Sequence, residues 1–402
     1  MTDPSRILIS RLSAHGDVAL TLPVIAAIRA RLPNVTIGWL VDASAVSLLQ
    51  GIAGIDALHV LDTRLLKRVA FKPLAWRNAL QHLNPVLAAL AEARYDAALD
   101  VQGLLKSALP PYLARIPRRF GFAGTRECAD LFYTDALPAI DLKDASRHVA
   151  DIYDTAAHQM LDALDVPTFE AARPAVSFRV PKLRELSEVP EFKADALAQA
   201  PEALSLKLQA LREGVNGCRR PLVILAPATR WASKRWPQGY WAKLLEALIA
   251  CGYAVALIGG PEDAALCQGV LQGATLSPEA RARVADLCGQ TNWQSLWAVF
   301  TEADVLIGPD SAPLHMAAAV AQSRGLLGAA PKVIGLFGPT AIGRTGPYGQ
   351  LENAITAGVA CQPCFKKRCP LPAPDTGQCM TALTPEAVLT KVLALSAPVY
   401  SI

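Results

Sequence analysis

The chain predicts an α/β protein of two doubly wound domains facing an interdomain cleft, and three observations carry that expectation. Its 402 residues exceed the roughly 250–300 at which a single hydrophobic core stops growing, so two cores are expected. Short runs rich in branched apolar residues alternate with longer stretches of helical period, the rhythm of strand–helix–strand units around parallel sheets. That rhythm occurs twice, on either side of a charged, Ala- and Leu-rich stretch without strand character.

In the first half, the runs 6–10 (RILIS), 36–41 (TIGWLV) and 97–101 (AALDV) read as buried strands, with helices over 20–30 and 83–93. In the second half, strands are expected at 222–226, 254–258, 305–307 and 333–337, separated by helices that start near Pro237, Pro261, Trp293 and Pro313. The boundaries follow: an N-terminal domain over 1–180, a helical linker or insertion over 181–220, a C-terminal domain over 221–383, and a closing helix and tail over 384–402. Thr384 opens that last helix with an incomplete capping box, because Ala387 stands where an acid would complete it.

With 52% hydrophobic residues and a net charge of +4, the composition argues against disorder and gives no global signal for nucleic acid. Local basic groups, Arg64, Lys67, Arg68, Lys72 and Arg77, then Arg115, Arg118 and Arg119, read as solvated helix faces or as a seat for an anionic partner. No basic segment precedes the apolar start, and no apolar run reaches the length of about 18 residues needed to span a bilayer. A cytoplasmic protein with reduced cysteines and at most a peripheral contact with a membrane is therefore expected.

Each candidate site follows a strand, which is where doubly wound sheets bind ligands. After the first strand come Ser13, His15, Gly16 and Asp17. Gly16 is expected to supply a tight turn that presents Asp17 at a helix start, either as an N-cap or as a carboxylate placed to accept a proton. His15, beside that turn, reads as a surface residue. The segment 100–107 (DVQGLLKS) sets Gln102 and Lys106 behind another strand, with Lys106 in reach of an acidic sugar; Arg126 belongs to a charged loop group for which a structural role is equally apt.

In the second half, Thr229, Arg230 and Lys234 gather a hydroxyl and cations at a strand end, which is what a departing diphosphate needs as its charge grows. Trp231 and Trp236 nearby read as core. The segment GPDSAPLHMA leads a strand into a helix, with Ser311 and His315 one turn apart at the helix N-terminus; Asp310 or Ser311 alternatively serves as its cap. Residues 338–344 add a further glycine turn that carries Thr340 and Gly343.

Cys361, Cys364, Cys369 and Cys379 crowd the C-terminal loop at a spacing that can surround one soft metal ion. They read as a structural tetrathiolate holding zinc or iron, with free thiols the alternative, and as a clamp whose loss leaves the chemistry intact. Cys128, Cys218, Cys251, Cys267 and Cys288 read as small buried hydrophobes.

In order, the motifs SAHGDVALTLP, DVQGLLKSA, ATRWASKRWP, GPDSAPLHMAAA and FGPTAIGRTGPYG resemble those of the ADP-heptose:lipopolysaccharide heptosyltransferases, glycosyltransferase family 9, from residue 6 to about residue 350. The resemblance implies a GT-B fold of two Rossmann-like domains and inverting transfer of heptose from ADP-heptose to an anionic lipopolysaccharide-core acceptor, Kdo or a first heptose, with no cofactor required for the chemistry. It implies Asp17 as the base and Lys234 as the cation that neutralises the diphosphate. Donor-binding residues would be Thr229, Arg230, Asp310, Ser311, Ala312, His315, Thr340 and Gly343; the acceptor would meet Ser13, His15, Gly16, Gln102, Lys106 and Arg126. Ala312 stands where the family usually has Gly, His15 replaces a smaller or apolar residue, and segments 181–220 and 322–330 are longer than in shorter members. The cysteine-rich tail is similar to tails of some second-heptose transferases and of metal-carrying protein heptosyltransferases. Competing functions are protein O-heptosyl transfer, nucleotide-sugar epimerisation and non-catalytic nucleotide-sugar binding.

Overall fold

Two parallel sheets organise the chain in the computed structural model, which describes residues 3–64, 76–141, 144–168, 201–214, 218–324 and 330–395. One unit spans Met1–Asp144 with Val149–Arg179, the other Ala145–His148 with Val180–Ile402.

The first unit's strands are β1 (Arg6–Ser10), β2 (Thr36–Asp42), β3 (Ala57–Leu61), β4 (Ala97–Asp100), β5 (Arg118–Phe122) and β6 (Asp135–Leu137), arranged β3-β2-β1-β4-β5-β6. All pairings are parallel. Central β1 is apolar on both faces, with Ile7, Leu8 and Ile9 fully buried, as a strand covered by helices on both sides must be.

The second unit holds β7 (Leu222–Leu225), β8 (Ala254–Leu257), β9 (Val284–Asp286), β10 (Val305–Pro309), β11 (Lys332–Phe337) and β12 (Ile355–Thr356), arranged β12-β11-β10-β7-β8-β9 and again wholly parallel. Counted from β9 inward, this is the strand order of the first sheet. In each sheet the order reverses at one place, between β1 and β4 and between β7 and β10, and such switch points open a crevice at the carboxyl ends of the strands.

Several expectations change. The helix expected over 20–30 is two, His15–Thr21 and Pro23–Arg31, because Pro23 cannot donate to the preceding turn and starts a new helix instead. Gly16 is the second residue of the first of these helices rather than a turn, and the N-cap is Ala14. Arg118 and Arg119 lie on β5 rather than on a helix face. Arg118 binds Asp135 through two contacts at 3.0 and 2.9 Å, and Arg119 Nε donates to the Phe132 carbonyl at 2.7 Å. Of the five cysteines expected inside, Cys267 is buried, Cys251 and Cys288 are half-buried, and Cys128 and Cys218 are exposed.

Of the stretch 181–220, the described part includes the helix Pro201–Arg212; much of the rest, like Lys67, Arg68 and Lys72, lies outside the described residues. The closing helix is Pro385–Leu395, and the Thr384 hydroxyl accepts from the Ala387 amide at 3.3 Å. Among the described residues no helix is long and apolar enough to cross a membrane.

Candidate active site

At the switch point of the first sheet, the loops behind β1 and β4 are tied into one polar group. Arg11, directly after β1, is buried; its Nη1 donates to the Val101 carbonyl at 2.7 Å and its Nη2 pairs with Asp17 Oδ2 at 3.0 Å. Burial opposes the guanidinium charge, but Tyr153, Asp17 and Asp100 outweigh it and hold the pKa above the ordinary value. Asp17 also accepts the Ala14 amide, again on Oδ2, at 3.2 Å. Both contacts fall on one oxygen, the side chain is 42% exposed, and neither contact uses Oδ1. That is the arrangement of an oriented carboxylate with an oxygen available to a proton donor.

Ser13 lies beside it. Its hydroxyl accepts from Lys106 Nζ at 2.7 Å, with Gln102 Nε2 at 3.5 Å, while Gln102 Oε1 takes the Leu12 amide at 2.8 Å. Thus Ser13, Gln102, Lys106 and Asp17 are brought together. His15 is half-buried and its Nε2 lies 2.7 Å from the Ser44 carbonyl. Arg126 is exposed; its neighbour Glu127 caps the helix Leu105–Leu113 through the Leu105 amide at 3.2 Å.

Two residues that shape this group escape sequence reading. Arg11 follows the first strand without any motif signal of its own, yet the switch point makes that position part of the site. Asp100 is 3% exposed and accepts from the amides of Gln102 and Gly103 and the hydroxyls of Ser107 and Tyr133 at 2.7–3.1 Å. Burial raises its pKa, and these hydrogen bonds pull only partly against that. Asp100 fixes the loop that carries Gln102 and Lys106.

At the other switch point, Lys234 (behind β7) and Asp310 (behind β10) form a buried pair. Lys234 Nζ reaches Asp310 Oδ2 at 2.7 Å and its carbonyl at 3.1 Å, and lies 4.5 Å from the centre of the Trp231 ring. Trp236 is core, but Trp231 is half-exposed and forms a platform for this ammonium. His315 Nε2 meets Asp310 Oδ1 at 3.1 Å and the Thr345 hydroxyl donates to Oδ2 at 3.2 Å. Burial would push the Asp310 carboxyl up; the His315 hydrogen bond and the Lys234 charge override it and hold the pKa well below the usual carboxylate range. With both oxygens engaged, Asp310 orients Lys234 and His315.

Around this pair, Ser311 Oγ, His315 Nδ1 and Thr340 Oγ1 are buried without a hydrogen-bond partner. Buried polar atoms left unpaired cost about 1–3 kcal/mol each, so three behind the neighbouring strands β10 and β11 mark a place for a polar ligand. Ser311 immediately precedes the helix Ala312–Arg324, whose first amides add partial positive charge. Ala312 is the first residue of that helix, and Thr229 (half-buried) and exposed Arg230 lie on the path from β7 to Lys234. Gly343 has a packing reason: a Cβ there would lie 2.3 Å from the Ala145 carbonyl oxygen.

Cys361, Cys364, Cys369 and Cys379 line one small cavity with Ser233 and Pro339. Burial, followed by the other three thiols, pushes Cys379 up to about 11, a donor set that a soft cation would relieve. As placed, the quartet is looser than a closed tetrathiolate: the described group whose ligand atoms all lie within 4.8 Å of one another is Cys267, Asp286 and Cys288. The loop is pinned to the end of β11 and the turn behind it, where Gln362 Nε2 donates to the Phe337 and Gly338 carbonyls at 3.1 and 2.7 Å and the Phe365 amide to the Pro339 carbonyl at 2.8 Å. Ser233, next to Lys234, donates to the Lys366 carbonyl at 2.6 Å.

The profile of glycosyltransferase family 9 (heptosyltransferase) matches residues 86–373. Lipopolysaccharide heptosyltransferase 1 of Pseudomonas aeruginosa is 26% identical over 97% of this chain and 98% of its own, and lipooligosaccharide heptosyltransferase 2 of Haemophilus influenzae is 27% identical over 65% and 66%. Among solved structures, the Escherichia coli ADP-heptose lps heptosyltransferase II superposes with a TM-score of 0.66 at 21% identity, over 97% of this chain and 98% of that one. A family 9 glycosyltransferase from Veillonella parvula gives 0.70 at 19%, over 98% and 97%. The twice-used strand order, the polar groups at both switch points and a family match over most of the length lead to one assignment: the chain belongs to glycosyltransferase family 9, the heptosyltransferases.

Proposed function

We propose that this enzyme transfers heptose from ADP-heptose to the inner core of lipopolysaccharide with inversion at the anomeric carbon, working at the cytoplasmic face of the inner membrane. The observation that carries the reading is the division of labour between the two switch points, an oriented carboxylate at one and a cation with unpaired buried donors at the other. The names of the Pseudomonas aeruginosa and Haemophilus influenzae relatives supply the sugar and the acceptor class. Asp17 takes the proton of an acceptor hydroxyl as that oxygen attacks the anomeric carbon from the face opposite ADP. Arg11 holds the carboxylate in place, and Lys106, Ser13 and Gln102 position an anionic acceptor sugar.

As the glycosidic bond breaks, negative charge grows on the diphosphate. Lys234, the helix start at Ser311 and the hydroxyl of Thr340 meet it, and such pre-aimed donors are worth about 3–4 kcal/mol each in the transition state. The four tail thiols are proposed to hold zinc or iron, which when bound would fix the loop and leave no open position for chemistry.

The test is incubation of the purified protein with ADP-heptose and a panel of truncated core acceptors, read by mass spectrometry. A gain of one heptose on an inner-core acceptor is expected, with a drop of about 10²–10⁴-fold for Asp17→Ala. Near-normal transfer by that variant would remove Asp17 from the base role; turnover of ADP-heptose without an acceptor would point to an epimerase.

A further inference from the structure

A second cluster of soft ligands lies away from the tail loop. Cys267 sits in the helix Ala264–Gly273, while Asp286 ends β9 and Cys288 follows it. Their two sulfurs and a carboxylate oxygen lie within 4.8 Å of one another. Cys267 is fully buried and the other two are half-buried. Sheet order puts the cluster on the carboxyl edge of the sheet that carries Lys234 and Asp310, two strand positions outward.

The surroundings preserve this convergence. A Cβ on Gly259 would come 2.7 Å from Cys288 Sγ, so the glycine is what lets the thiol lie against the backbone behind β8. Asp286 Oδ1 accepts the Cys288 amide at 2.9 Å, which fixes the turn between the two ligands. Zinc–sulfur bonds of about 2.3 Å and zinc–oxygen bonds of about 2.1 Å place tetrahedral ligand atoms roughly 3.6–3.8 Å apart, a separation these side chains reach by small rotations. Two thiolates and a carboxylate carry one charge more than a divalent ion neutralises. Lys207 Nζ, 3.2 Å from the Asp286 carbonyl, supplies a nearby positive charge.

We propose that Cys267, Asp286 and Cys288 bind a soft divalent cation of the zinc class with one coordination position left open. Two thiolates select against magnesium and calcium, and three protein ligands fall short of the four that close a structural zinc site. The ion would tie β9 to the helix behind β8 and hold the Gly259–Gly260 backbone, against which Cys288 packs with its sulfur 3.4 Å from the Gly260 carbonyl. This is independent of the tail quartet and of the reading of the reaction.

The test is a cobalt(II) titration of the reduced, chelator-stripped full-length protein, followed by thiolate-to-metal charge-transfer absorbance. Wild type is expected to take up one equivalent more than Cys288→Ser. Asp286→Asn, which can keep the turn hydrogen bond, should retain the equivalent and lose at least about tenfold in affinity. Equal uptake by wild type and Cys288→Ser overturns the proposal, as does an extra equivalent that persists in Cys267→Ala. Peptide mapping of a reduced preparation that finds Cys267 and Cys288 joined as a disulfide also overturns it.

Discussion

Lys234→Ala should damage stability and turnover together, and the size of both effects follows from the Asp310 pocket. The Asp310 side chain is 5% exposed and that of Lys234 13%, so the substitution leaves a buried carboxylate without its closest cation. Removing one partner of a buried pair costs about 3–5 kcal/mol. Asp310 keeps His315 at 3.1 Å and Thr345 at 3.2 Å, which puts the expected loss at the lower end, about 3 kcal/mol. For a unit of this size each kcal/mol lowers Tm by about 2–4 °C, giving a fall of roughly 6–12 °C by scanning calorimetry. At a temperature where both proteins stay folded, kcat should fall about 10²–10³-fold with a smaller change in donor KM. In Lys234→Gln/Asp310→Asn both charges are gone and two amides face each other, so much of the Tm should return while transfer does not. A fall in Tm below about 2 °C for Lys234→Ala, or recovered transfer in the double variant, would refute the reasoning.

Three further outcomes are expected. The Asp310 pKa is depressed in the fold, so its stabilisation is complete above the unfolded carboxylate pKa near 4 and is lost as pH falls through the lower folded value; Asp310→Asn should flatten the acid side of the Tm–pH profile, and parallel profiles would contradict this. Gly38→Ala would place a Cβ 1.8 Å from the Tyr95 hydroxyl oxygen, which itself lies 2.8 Å from His59 Nε2; the overpacking should cost about 1–3 kcal/mol or more in urea unfolding, and a loss under about 0.5 kcal/mol would show that Tyr95 moves freely. If the tail thiols hold a metal as proposed, changing all four to Ser should lower the bound metal by that one ion and reduce transfer as well, because the loop holds Ser233 beside Lys234 and Pro339 beside Thr340; elemental analysis with the transfer assay checks this, and intact transfer by the variant would restore the simpler view of a remote clamp.

Strands were legible in the sequence where burial on both faces left an unbroken apolar signature, as in β1 and β7. Those that begin with charge or hold only two or three residues were not: β5 opens on two arginines, and β12 is Ile355–Thr356. At the candidate site, the motif residues after β1, β4, β7 and β10 were readable because loops behind parallel strands tend to carry ligand groups. The partners were not. Arg11, which meets Asp17, is itself fixed by the Val101 carbonyl 90 residues on, and the cation on Asp310 lies 76 residues back, so both depend on which strands become neighbours. Gly16 misled because a glycine in the first turn of a helix has the same local signature as one in a tight turn.

On the proposed division of labour, the repetition of one strand order in both units gives each substrate its own address. Loosening β1 against β4 disturbs Arg11, Asp17 and Gln102 but leaves the Lys234–Asp310 pair untouched, whereas loosening β7 against β10 does the reverse. Substitutions in the first sheet should therefore write themselves into the kinetic parameters of the acceptor, those in the second into the parameters of the donor. The enzyme's two recognition problems can drift apart without either one unmaking the other.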